Sequence, residues 1–183
     1  MINKVNVSNE ILNFKSKQLM AEALERVGAN VDYTIKDWLR TEELYTNSPV
    51  TVVFPELNIQ RVALSVTPHD AMSVKISVPG EKESTVNLND TLSYSFGRIM
   101  VLPNESYNDW IGQTINVTRN NPLTVAKTFV SKLMIRQADA DASILNFSLQ
   151  DYSPIRAKAI LDMLFDVYNE DTINENTDNC SSF

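Results

Sequence analysis

This sequence is short of the side chains on which most chemistry depends. It carries one histidine, His69, and one cysteine, Cys180. A lone cysteine closes no intrachain disulfide, and one histidine with one cysteine cannot complete a structural zinc site. Glycine is scarce, at four in 183 residues. No G-x-x-x-x-G-K-[ST] run exists, which excludes a phosphate-cradling loop of that kind. No apolar run approaches the roughly 18 residues of a membrane-spanning helix. The opening residues, MINKVNVSNE, lack the apolar region of a signal peptide. Positive charge is in the minority, with 16 Lys and Arg against 23 Asp and Glu, a net −7 that is spread rather than blocked. That balance argues against nucleic acid or an anionic membrane surface as the main partner.

What is present is ordinary for a globular chain: 43% apolar and 21% charged residues. The stretch from Ala142 to Asp171 organises the rest. Leu145, Phe147 and Leu149 alternate with Asn146, Ser148 and Gln150, which predicts a strand with its apolar face in the core. Ser153 then caps a helix and Pro154 takes its first position. Ala157, Ile160, Leu161, Leu164 and Tyr168 share one helical face. Helices are expected at 16–27, 122–134 and 154–169. The first has Ser16 as cap, an inner stripe of Leu19, Met20, Ala23, Leu24 and Val27, and Gly28 at its end. The second buries Ala126, Phe129, Val130 and Leu133. Ahead of both, Ser8 is read as the cap of a short turn carrying Ile11 and Leu12.

From about 50 to 119 the period is close to two. Val62, Leu64 and Val66 form one strand face; Met72, Val74, Ile76 and Val78 form another. Pro68-His69-Asp70 and Pro79-Gly80 are turns. Further strands are read at 31–35, 50–54, 98–102 and 114–118, which together indicate an antiparallel sheet or small sandwich. Residues 172–183 read as a polar tail with Cys180 as an exposed thiol. The fold class expected is α+β: a single domain over 1–183, with a mixed sheet packed by helices and an inserted antiparallel β elaboration.

Each candidate for chemistry has a plainer reading. His69 and Asp70 are neighbours on a turn and point apart, and no G-x-S-x-G elbow accompanies them. Asp139, Asp141 and Ser143 open like a calcium loop. Ile144 then stands where glycine is needed and Gln150 where glutamate is, so the segment reads as a solvated corner. Trp38 with Lys36 and Arg40, and Trp110 with Tyr107, have the character of sugar-stacking groups, but aromatics more often anchor loops to a core. Asp90-Thr91-Leu92 and Asp171-Thr172-Ile173 match a short O-glycosylation sequon of a kind that arises by chance. Arg156 and Lys158 are expected on an exposed helix surface. No catalytic, cofactor-binding or metal-ligating residue is assigned, and no cofactor is implied.

Four segments carry a resemblance, in this order: NEILNFKSKQLMAEALERVGANVDY, KDWLRTEELYTNSPVTVVF, DTLSYSFGRIMVLPN and SILNFSLQDYSPIRAKAILDMLFDVYNED. The second holds an ELY-x-x-SPV element at Glu43 to Val50. The third holds Thr91, Ser93, Phe96, Gly97, Ile99, Val101 and Pro103. Together they resemble the extracytoplasmic region of bacterial polysaccharide chain-length determinants, the polysaccharide co-polymerases. The closest form is the Bacteroides type, in which that region is fused to a cytoplasmic tyrosine autokinase. The resemblance implies the periplasmic part of an inner-membrane protein that works as a homo-oligomer. Its implied partners are the polysaccharide polymerase and export machinery and the growing polysaccharide. It implies scaffolding that sets the length or export of capsule, exopolysaccharide or lipopolysaccharide O-antigen, with no bond chemistry in this domain. The membrane spans, the long helical hairpin and the kinase of that family have no counterpart within these residues. The alternative is a free-standing secreted carbohydrate-binding β module. Any contacts between copies are expected on helix surfaces and the β elaboration, because Leu145, Phe147 and Leu149 are read as needed by the core.

Overall fold

A computed structural model describes residues 2–36, 38–139 and 144–180, and the side-chain surroundings of those between 7 and 173. The chain opens with helices α1 (Ile2–Phe14) and α2 (Lys17–Arg26). Strands β1 (Val31–Lys36), β2 (Thr41–Glu43), β3 (Val50–Leu57), β4 (Val62–Pro68) and β5 (Ser73–Ser77) follow. Next are β6 (Ser84–Asn87), β7 (Thr91–Tyr94), β8 (Gly97–Pro103) and β9 (Ile115–Arg119). The last elements are α3 (Pro122–Lys132), β10 (Leu133–Gln137), β11 (Leu145–Leu149) and α4 (Pro154–Cys180). The class is α+β, as the sequence indicates. In place of one mixed sheet, the described strands form three sheets in which every pairing is antiparallel. The reason is local: most neighbours are joined by turns too short for a parallel crossover.

The contacts divide into two compact units: Met1–Ala29 with Pro122–Phe183, and Asn30–Asn121. The second is the β elaboration, and it is wider than the alternation alone marks because β1 and β2 belong to it. A six-stranded sheet, β2-β1-β9-β4-β5-β6, and a three-stranded sheet, β3-β8-β7, enclose one core. Alternate residues of each strand enter that core: Val62, Leu64 and Val66 from β4, Val74 and Ile76 from β5, Ile99 and Val101 from β8, Ile115 and Val117 from β9. Tyr33 ties the sheets together, its hydroxyl accepting the Val52 N–H at 2.8 Å. Asn30 and Asn120, at the two ends of the unit, close it. The Asn120 amide donates to the Asn30 carbonyl at 2.8 Å, and the buried Asn30 side chain donates to the Asn120 carbonyl at 3.1 Å. Met72 departs from its expected inward place and is 76% exposed. Asp70 Oδ1 accepts the Met72 and Ser73 N–H groups at 2.8 Å each, so the turn extends through Met72 and the strand starts one residue later.

The helical unit is built from both ends of the sequence. Ser16 caps α2 with its Oγ accepting from the Leu19 N–H, and Gly28 closes it at φ +70°. Leu19, Met20, Ala23 and Leu24 are buried as read. They pack with Ala126 and Phe129 of α3 and with Ile160, Leu164 and Val167 of α4. The inner row of α4 is Ala157, Ile160, Leu164 and Val167, leaving Leu161 and Tyr168 half-buried. Helix α1 runs unbroken through Ser8, which is therefore an interior position and no cap. Val7 and Phe14, seven residues apart on one face, take its buried side, and Leu12 is exposed. Phe14 stacks on Tyr168 at 4.0 Å between ring centroids and meets Phe147 and Phe165 edge-on. Residues 133–137, which begin inside the helix expected at 122–134, are instead β10, because all five pair with β11 in antiparallel register. This pairing makes a two-stranded sheet of its own.

Candidate functional site

Along the outer edge of β11, under α4, lies an open groove of about 690 Å³. Alternation along β11 aims Leu145, Phe147 and Leu149 to its floor, and helical spacing brings Leu161 and Phe165 of α4 to its wall. All five are half-buried rather than sealed in the core. Phe147 and Leu149 pack against the helical core, as expected of this face, but stay partly open, as does Leu145. The cause is topological: β11 has β10 on one side, and among the described residues no strand pairs with its other edge.

One end of the groove is fixed by an ion pair. Arg156 Nε donates to Asp151 Oδ2 and Nη2 to Oδ1, both at 2.6 Å, the bidentate geometry that guanidinium and carboxylate share. The Asp151 side chain has no exposed surface and that of Arg156 is 15% exposed, so Arg156 is not the open surface position the sequence suggests. Its guanidinium also lies over the Phe129 ring, 5.8 Å from the centroid. Burial pushes the Asp151 carboxyl up, but the hydrogen bonds and charge of Arg156 outweigh it and hold the group below its usual value. Ser153 Oγ accepts the Arg156 N–H at 3.3 Å, so the helix cap and the ion pair share one short corner. Lys158, on the groove wall, is exposed as expected and pairs with Asp162 one turn on.

The other candidates are scattered. Asp70 is occupied with its own turn, which lowers its pKa through the Met72 amide first, and His69 is exposed beside it. The Ser73 side chain also hydrogen-bonds to the Asp70 carboxylate, within the same turn. Asp141 and Ser143 of the calcium-like corner lie outside the described residues. Among the described residues, no group of three or more His, Cys, Asp or Glu is placed to hold a metal ion. The aromatics divide: Tyr107 is buried and Trp110 half-buried against the β core, whereas Trp38 is 86% exposed between β1 and β2. Thr91 and Thr172 are both exposed, and the Thr172 hydroxyl donates to the Tyr168 carbonyl at 2.9 Å. The described residues thus offer a groove and an exposed aromatic for binding. Reading the sequence missed the groove because an alternating strand looks the same at the centre of a sheet and at its edge. The signal it did contain is the lack of any charge from Leu145 to Leu149. In comparisons with known proteins, no family model and no curated protein matches this chain.

Proposed function

We propose that this chain is the periplasmic scaffold domain of an inner-membrane polysaccharide co-polymerase. In that role it regulates the chain length or export of a surface polysaccharide, as a homo-oligomer beside the polymerase. It does no bond chemistry of its own. The observation that carries the reading, beside the ordered motifs, is α4. Its fully buried row ends at Val167, with Tyr168 packed beside it, yet the helix continues to Cys180 through a sequence that is polar apart from Ile173. A helical stretch with no apolar stripe in its sequence suits a connection toward further helical structure, which is what the resemblance calls for. The test is in the source cell. In-frame removal of this region should change the modal length or the export of a surface polysaccharide. An unchanged length distribution, with the rest of the protein expressed, overturns the proposal.

One observation favours the alternative, a carbohydrate-binding module. Trp38 is 86% exposed, and Lys36 and Arg40 are exposed beside it. An open indole offers a stacking face for a sugar ring. Titration calorimetry of the chain with oligosaccharides separates the readings. Millimolar or tighter binding lost in Trp38→Ala supports the module, and polysaccharide length unchanged by removal of the region supports it further.

A further inference from the structure

We propose that the outer edge of β11 is a homodimer seam, on which the β11 of a second copy pairs antiparallel about Phe147. The sheet β10-β11 would then continue across two chains as four strands. A two-stranded sheet is marginal alone, and an unpaired edge is a template for another strand. Edges that stay single are usually guarded by charge or proline; Leu145 to Leu149 has neither. Pairing about Phe147 sets Leu145 opposite the second copy's Leu149 and Asn146 opposite its Ser148. Like faces like on both sides of the new ladder, and the two-fold symmetry makes each favourable pair occur twice. The apolar face of the arriving strand meets Leu161 and Phe165, which the groove leaves half-buried.

Charge points to a second copy as the occupant. The chain carries a net −7, so most faces repel their own kind at low salt. The groove is an exception: Asp151 is neutralised by Arg156, and Lys158 and Asp162 neutralise each other within one chain. A neutral apolar lip on an acidic molecule is where two copies approach at least electrostatic cost. The proposal stands on this edge alone and is independent of any role with polysaccharide.

The experiment is sedimentation equilibrium of the chain over a range of about 5 to 200 μM, where a small seam of this kind is expected to show a monomer–dimer equilibrium. Asn146 and Ser148 are exposed and outside the apolar face, so substituting them spares the core. Asn146→Lys with Ser148→Lys places two lysine pairs face to face and should weaken the dimer roughly tenfold. Those lysines also reduce the net negative charge, which taken alone favours association, so a weaker dimer reports the local opposition. Asn146→Lys with Ser148→Glu leaves the net charge unchanged and sets each lysine opposite a glutamate of the second copy. It should restore the dimer to within about threefold of the parent chain. Hydrogen exchange on the unsubstituted chain gives a second readout, with amides of residues 145–149 gaining protection as concentration rises. A chain monomeric throughout the range, a dimer indifferent to both variants, or a dimer without added protection at β11 overturns the proposal.

Discussion

Gly97→Ala tests the packing of the β unit most sharply. Gly97 begins β8 opposite Leu57 of β3, next to an irregularity in the β3–β8 register between Val53 and Glu56. Its φ is +134°, and a Cβ added there would sit 2.1 Å from the Glu56 carbonyl oxygen and 2.9 Å from its carbon. Both obstacles are backbone, so no side chain can swing away. The conformation alone costs a non-glycine residue about 1–3 kcal/mol. Displacing a β3 strand held by its ladder adds about 1–3 kcal/mol, as overpacking does. A total loss of about 2–6 kcal/mol follows. Gly80→Ala is the matched control: φ is +85° and nothing lies within 4 Å of the added atom, so only the conformational cost of about 1 kcal/mol remains. Urea unfolding followed by tryptophan fluorescence reads the right unit, because Trp38 and Trp110 both lie in it. With an m-value near 2 kcal/mol/M, the midpoint for Gly97→Ala should fall by roughly 1–3 M. A midpoint within about 0.3 M of the parent, or equal to that of Gly80→Ala, refutes the close approach of β8 to β3.

Leu164 is fully buried, so Leu164→Ala should cost about 2–5 kcal/mol, whereas Lys158→Ala, on an exposed pair, should cost under about 1 kcal/mol; urea unfolding followed by far-UV circular dichroism compares them. Arg156→Ala strands a buried carboxylate and should cost about 3 kcal/mol, and Asp151→Asn should recover part of that in the double variant. The Asp151 pKa is lowered from 3.8 on folding. Its contribution is therefore present above about pH 4 and lost as pH falls through the lowered value; a stability–pH profile of Asp151→Asn should be flatter across that acid limb. Burial raises the Tyr33 pKa to about 12 from 10.0, so its contribution is full below pH 10 and fades as pH approaches 12; absorbance titration of Tyr33→Phe should lose one late-titrating tyrosine.

Where a signal is local, the sequence determined the outcome. Ser16 and Gly28 bound α2, and Ser153 with Pro154 starts α4, because capping needs only a few adjacent backbone groups. The alternation from Val62 to Val78 settled which side of β4 and β5 enters the core, since strand geometry has a period of two. The α+β class followed from those pieces. Tertiary structure decided the rest. Residues 133–137 became a strand only because β11 offered a partner. Met72 turned outward because Asp70 captured its amide. Arg156, drawn as a surface charge by its helical position, found a carboxylate with no exposed surface five residues back. The half-open state of Phe147 was also beyond the sequence, because burial depends on how many strands stand beside a strand, and strand neighbours are chosen across distances that local patterns do not encode.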